Sequence, residues 1–218
     1  MRITSQYKAF VFDMDGLLID SETVAFETFQ DACIELSIEC PFDEYKGCIG
    51  TAGKERDKIL QRALGGEQHM SALSEIWKRK YSQRIKNRSI PVKKGVHVFL
   101  EHLNNYNKPK IVATSTLTSL AEEKLESCGL LHYFDKVIGG ETVANPKPCP
   151  DIYHRAISSL GFPADQVVAF EDSEFGVLAA HSAGIDVYQI PDLLPPTTTS
   201  TKHATGVYRC FDDVLHSS

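Results

Sequence analysis

Lys8-Ala-Phe-Val-Phe-Asp-Met-Asp-Gly16 is a compact apolar run that stops abruptly at an acid. An apolar run of this length, bounded by polar residues, reads as a short strand buried on both faces. Similar runs follow at Lys110-Ile-Val-Ala-Thr114, Lys136-Val-Ile138, Gln166-Val-Val-Ala-Phe170 and Asp186-Val-Tyr-Gln-Ile190. Helical stretches lie between most of them: Leu117 to Cys128 stops at Gly129, Asp151 to Leu160 stops at Gly161, and Glu174 to Ser182 stops just before Gly184. Glycine after the last turn is the usual helix stop. Buried strands alternating with helices predict an α/β fold with a mostly parallel sheet and helices on both faces. In such sheets the functional site lies beyond the carboxyl ends of the strands.

One interval breaks the alternation. Almost a hundred residues separate the first strand from the one at Lys110, and most carry helical patterning. Ser21 to Leu36 opens on a serine suited to an N-cap and places Val24, Phe26, Phe29, Ala32 and Cys33 on one face. Lys54 to Leu64 and Ser71 to Ile85 are further amphipathic helices, ending near Gly65 and Asn87. So many helices exceed a single crossover, so residues 21–90 are expected to form an inserted helical-bundle subdomain. The α/β core is then residues 1–20 with 91–218, resuming after a hinge at Pro91-Val-Lys-Lys-Gly95. Pro195-Pro-Thr-Thr-Thr-Ser-Thr201 reads as a polar surface loop.

Composition narrows the function. With 218 residues, 42% hydrophobic and 24% charged, the chain suits an ordinary soluble globular protein rather than a disordered one. No apolar run approaches the ~18 residues that span a bilayer, and Met1 to Gln6 has no signal-peptide apolar segment. The expectation is a cytoplasmic protein without a membrane partner. A net charge of -6 argues against a nucleic-acid surface, though not against a small anionic substrate. The six cysteines have no CxxC spacing, so they are expected to be reduced and mostly buried. The eight histidines show no metal-binding spacing, and His97 and His102 read as a partly exposed helix surface. No long exposed apolar stripe is evident, which makes a monomer the default.

Four strand ends carry chemistry. Asp13 and Asp15 follow the first strand at a spacing that turns both carboxylates to one side of an extended chain. Thr114 and Ser115 follow the second run. Such hydroxyls serve either as helix caps or as ligands for an anion. Lys147 stands between Pro146 and Pro148, which should hold it on a stiff, extended loop. Glu171 and Asp172 follow another buried run, and adjacent acids there repel unless a cation sits among them. Together these pieces suit phosphoryl transfer: hard oxygens for Mg2+, and a hydroxyl and an ammonium for the phosphoryl oxygens.

The order FDMDG, TS, PKP, FEDS, with a helical insert after the first motif, resembles the haloacid dehalogenase superfamily over essentially the whole chain. Within it, the resemblance is to the members with a helical cap after the first motif, the β-phosphoglucomutases and small phosphatases. It implies a Rossmann-like sheet plus a helical cap, and Mg2+ as cofactor. By motif, Asp13 resembles the nucleophile that forms an aspartyl-phosphate. Asp15 resembles the general acid/base, with its backbone carbonyl on the metal. Ser115, or Thr114 in the neighbouring register, resembles the phosphate-binding hydroxyl, Lys147 the charge neutraliser, and Asp172 and Glu171 the metal-site acids.

The resemblance also separates reactions. Dehalogenases and phosphonate-cleaving members lack the second aspartate, which is present here as Asp15. Mutases carry a histidine ten positions after that aspartate, where this chain has Ala25, and an arginine in a cap turn that here reads Gly50-Thr-Ala-Gly53-Lys54-Glu-Arg56. The expected activity is therefore hydrolysis of a small phosphorylated metabolite, with a phosphosugar mutase as the alternative. A non-enzymatic phospho-acceptor or binding module is the alternative of another class. Substrate choice is expected around Thr51 to Arg56, with Lys54 and Arg56 facing an anionic end, around Trp77 to Arg84, and at Leu17-Leu18-Ile19. Cys149, near Lys147, is either a reactive thiol or an inert one turned into the core.

Overall fold

A computed structural model describes residues 2–48 and 53–216, and the side chains of these residues except Arg2 and residues 53–57. A short helix α1 (Arg2–Gln6) leads into β1 (Ala9–Phe12), whose four residues are all buried. Four helices follow: α2 (Ser21–Glu35), α3 (Phe42–Cys48), α4 (Gly53–Ala63) and α5 (Glu67–Asn87). The chain then runs through α6 (Val96–Asn105), β2 (Lys110–Ala113), α7 (Thr118–Ser127), β3 (Lys136–Ile138), α8 (Asp151–Leu160) and β4 (Val167–Glu171). It ends with α9 (Glu174–Ser182), β5 (Asp186–Gln189), α10 (Thr198–His203), β6 (Gly206–Val207) and α11 (Phe211–His216). Two compact units result, Met1–Asp20 with Pro91–Ser218, and Ser21–Ile90.

The first unit holds one sheet in the order β3-β2-β1-β4-β5-β6, with every pairing parallel. The chain moves outward from β1 to β3, then returns to start β4 on β1's other side, so the switch in direction lies between β1 and β4. This is the Rossmann-like arrangement, and a crevice at that switch is where such sheets bind ligands.

Period-two alternation gives the sheet its two faces. Phe10, Phe12 and Phe170 form one aromatic layer with Phe99 of α6 and Phe211 of α11, Phe12 stacking on Phe170 at 5.4 Å. Ala9, Val11, Val167 and Ala169 pack on the other face with Ile152, Tyr153 and Ala156 of α8 and Val177 and Ala180 of α9. The odd-numbered residues of β1 and β4 therefore face α8 and α9, which fixes where Asp13 and Glu171 emerge.

The second unit is built on its own core of Phe29, Ala32, Cys33, Tyr45, Leu60, Met70 and Leu73. Trp77 of α5 donates its indole N–H to the Ala25 carbonyl of α2 at 2.9 Å, and Glu35 of α2 pairs with Arg79 and Lys80 of α5. Among the described residues no helix is long and apolar enough to cross a membrane.

Several local expectations are corrected. Ser21 is the first helical residue of α2 rather than its cap, and its buried hydroxyl has no hydrogen-bond partner among the described residues. The polar segment 195–201 is not simply a loop. Thr197 caps α10 by accepting from the Ser200 N–H while the Ser200 hydroxyl accepts from the Thr197 N–H, a reciprocal box that starts a helix without any apolar pattern. All six cysteines are free, but only Cys33 and Cys48 are buried.

Candidate active site

Because Asp13 continues the odd-numbered face of β1, its carboxylate leaves the sheet toward α8, where it is 7% exposed. Glu171, the last residue of β4, leaves on the same face and is fully buried. Two buried acids side by side need a cation. Lys147 supplies it, its Nζ standing 2.6 Å from Asp13 Oδ1, 2.6 Å from Glu171 Oε1 and 3.1 Å from the Ala113 carbonyl at the end of β2. The expectation of an extended Pro146–Pro148 loop is corrected. The chain turns there through a cis Lys147–Pro148 peptide, closed by the Cys149 N–H donating to the Pro146 carbonyl at 3.0 Å. Cys149 itself is exposed rather than turned into the core.

Tyr153 of α8 completes the cluster by donating its hydroxyl to Glu171 Oε1, and the Lys147 ammonium lies 5.3 Å from the centre of its ring. The Asp13 carboxyl is raised to about 7: burial pushes it up, Lys147 opposes this, and the Glu171 carboxylate adds to the rise. Burial works against the Lys147 ammonium, but Asp13 and Glu171 outweigh it and hold the group above its usual range. The Tyr153 hydroxyl is likewise raised, by burial and then by Glu171, so it stays a donor.

Asp15 goes elsewhere. At Gly16 the chain takes a left-handed turn (φ 82°), and Asp15 forms a bridge to Ile19. Its carboxylate accepts from Thr116 Oγ1 at 2.7 Å and from Lys124 Nζ at 2.9 Å. The two aspartates thus have separate cations, while Asp15 remains near enough to add to the rise of the Asp13 carboxyl. Thr114 is buried at the end of β2 and accepts the Thr116 N–H at 3.1 Å, whereas Ser115 is exposed. Tyr153, Lys124 and Thr116 were not singled out from the sequence. A signal existed for Lys124, which interrupts the buried stripe Ala121, Lys124, Leu125 of α7.

A cation site is compatible with these residues. Asp13, Glu171 and Asp172 each offer a carboxylate oxygen within 4.8 Å of the others. Glu171 Oε1 is taken by Lys147 and Tyr153, but its Oε2 is buried with no hydrogen-bond partner among the described residues. The Asp172 carboxylate lies so close to Gly16 that any Cβ there would collide with it. A set of hard oxygens of this kind suits Mg2+.

The same crowding makes Gly176 informative, since a Cβ on it would overlap the Glu171 carboxylate. Helix propensity alone predicts that Gly176→Ala in α9 stabilises the protein by about 1 kcal/mol. Displacing a buried, doubly bonded carboxylate costs more than that. The expected outcome is a lower melting temperature, read by calorimetry; a higher one would contradict the packing described.

Other candidates have different fates. Leu17, Leu18 and Ile19 are fully buried, and Leu17 lines a cavity with Asp20, Lys93 and Phe211. Trp77 spends its N–H within the helical unit, on the Ala25 carbonyl and Thr28 Oγ1. Thr51 and the side chains of Lys54 and Arg56 lie outside what the structure describes.

The chain is similar to known proteins in family, sequence and fold. A family model described as haloacid dehalogenase-like hydrolase matches residues 10–190. A phosphorylated carbohydrates phosphatase of Thermotoga maritima is 34% identical over 183 residues, covering 82% of each chain. A fructose-1-phosphate phosphatase of Escherichia coli is 24% identical, covering 85% of this chain and 97% of its own. The crystal structure of CbbY from Rhodobacter sphaeroides in complex with phosphate superposes with a TM-score of 0.75 at 22% identity, covering 95% of this chain and 96% of that one, and supports the fold.

Proposed function

Since the chain belongs to the haloacid dehalogenase-like hydrolases, we propose that it is a Mg2+-dependent phosphatase that hydrolyses a small phosphomonoester through an aspartyl-phosphate on Asp13. The observation that carries this reading is the Lys147 ammonium buried between Asp13 and Glu171. A carboxylate approaching a phosphate dianion meets charge repulsion, and a fixed ammonium beside the nucleophile offsets it without reorganisation during the reaction. Relatives named as phosphatases of phosphorylated carbohydrates and of fructose 1-phosphate support a sugar phosphate as the substrate class.

In this reading Asp13 attacks phosphorus and the P–O bond to the leaving alkoxide breaks. Asp15 protonates that oxygen, a contribution of ~10²–10⁴ in rate for a poor leaving group. Asp15 then takes a proton from the water that cleaves the aspartyl-phosphate, returning Asp13 and inorganic phosphate. Thr114, the buried hydroxyl at the end of β2, is preferred over exposed Ser115 for the phosphoryl oxygens. Asp13, Asp172, Glu171 and the Asp15 carbonyl would hold Mg2+, which supplies positive charge against the phosphoryl oxygens. Substrate choice is assigned to the helical unit, with Lys54 and Arg56 as candidates for the substrate's anionic end. Ala25 in place of the mutase histidine leaves water as the acceptor.

The test is phosphate release from a panel of phosphorylated sugars and related metabolites, with Mg2+ or with chelator. Metal-dependent turnover of at least one sugar phosphate is expected. Absence of turnover across the panel and on a nitrophenyl ester would overturn the reading. Asp172→Asn should raise the half-activating Mg2+ concentration by about 10–100-fold, the scale seen when metal-site support is lost. An unchanged titration midpoint would remove Asp172 from the metal site.

A further inference from the structure

The second aspartate has a cation of its own that neither the motifs nor the reaction outline uses. Lys124 lies in the buried stripe of α7, between Ala121 and Leu125, and its side chain is 7% exposed. A lysine is almost never buried unless paired, since its stem can usually carry the charge to water. Here the ammonium is instead turned inward, 2.9 Å from Asp15 Oδ1. The other carboxylate oxygen accepts from Thr116 Oγ1 at 2.7 Å. Donors from two different elements, the turn after β2 and the body of α7, thereby fix both torsions of one side chain.

Both donors are themselves anchored. The Thr118 N–H, at the start of α7, donates to Glu141 Oε1 at 3.1 Å, and the Thr118 hydroxyl also bonds to Glu141. The Gly139 N–H donates to Thr118 Oγ1 at 3.1 Å, and a Cβ on Gly140 would stand 2.6 Å from the Ser115 carbonyl. The turn carrying Thr116 is therefore clamped against the segment after β3, and α7 starts from that clamp. Lys147 meanwhile attends Asp13 and Glu171, so each aspartate is held by a different lysine.

We infer that Lys124, together with Thr116, is a positioning residue that holds the Asp15 carboxylate for proton transfer, an assignment that rests on the phosphatase reading above. Lys124 does not touch the reacting atoms. It acts through Asp15, on the loop that Gly16 turns, where an unsupported acid would sample several rotamers. Displacing a reacting group by 1 Å costs on the order of 10²-fold in rate.

The experiment compares an alkyl phosphate, whose leaving group needs a proton, with p-nitrophenyl phosphate, whose leaving group scarcely does. Lys124→Met keeps the stem and removes the charge. It should lower kcat on the alkyl ester by about 10–100-fold and on the nitrophenyl ester by less than about threefold, with KM little changed. In an Asp15→Asn background, where the group to be positioned is already gone, Lys124→Met should change the alkyl rate by less than about twofold. Thr116→Val removes the second donor without altering charge and should show the same leaving-group selectivity, which keeps the test open if Lys124→Met folds poorly. Equal losses on the two esters, or losses that simply multiply in the Asp15→Asn background, would overturn the inference while leaving the phosphatase reading intact. Asp15→Asn with undiminished alkyl turnover would overturn the proton-transfer role, and this inference with it.

Discussion

Asp13→Asn should reduce phosphate release by at least about 10³-fold, the scale of losing a nucleophile, while leaving the fold and its melting temperature nearly unchanged. The two halves of this expectation have one physical basis. Burial already pushes the Asp13 carboxyl up to about 7, so the folded protein gains little from its charge and loses little when an amide of the same shape replaces it. Lys147 keeps Glu171 and the Ala113 carbonyl as partners in the variant. Turnover has no such substitute, because an amide is a far weaker nucleophile toward phosphorus. Parallel melts and steady-state rates with Mg2+ check both parts. Retention of more than about a tenth of the activity would remove Asp13 from the nucleophile's role.

Lys147→Ala should fail in the opposite pattern, losing both catalysis and stability. It strands Asp13 and Glu171 as neighbouring buried carboxylates, and breaking such a buried pair costs about 3–5 kcal/mol. In a chain of this size that corresponds to a melting point lower by roughly 6–20 °C in metal-free buffer. The pH dependence has a definite sign. A carboxyl whose folded pKa lies above its unfolded value, near 3.9, destabilises the fold when ionised and ceases to do so once protonated. Asp13 is raised to about 7 even with Lys147 present, and removing the cation raises it further. Between about pH 4 and 7 wild type and variant lose the same contribution, so the Asp13 part of the deficit should open as the pH rises above about 7 and close as the pH falls back to it. A phosphate mimic such as vanadate should bind at least about tenfold more weakly, and Lys147→Arg should restore only part of the loss, since a planar fork differs from a compact ammonium. A deficit that grew on acidification would contradict the charge-pairing account.

The sheet was legible because each of its first five strands is an apolar run too short for a helix and bounded by polar residues, from Ala9–Phe12 to Asp186–Gln189. β6 was not, since Gly206–Val207 is too short to carry a period. α10 escaped because its stability comes from the Thr197–Ser200 box rather than from an apolar face. At the site, the acids at strand ends could be picked out because a charge directly after a buried run is unusual. Their partners were harder to find. Lys147 was marked by its flanking prolines, but Tyr153 sits at an ordinary core position of α8 and only its hydroxyl, bonded to Glu171, distinguishes it. Which acid each lysine serves is set by contacts between segments far apart in the chain, Lys124 with Asp15 and Lys147 with Asp13.

The central claim, a covalent phosphoryl intermediate on Asp13, has a direct chemical test. The Mg2+-loaded enzyme is mixed with a turning-over sugar phosphate, quenched in acid during the steady state, and treated with borohydride, which reduces an acyl phosphate to an alcohol. Peptide mapping should then find homoserine in place of Asp13, dependent on substrate and absent from Asp13→Asn. Vigorous phosphate release with Asp13 unreduced, or with the homoserine at another carboxylate, would contradict it.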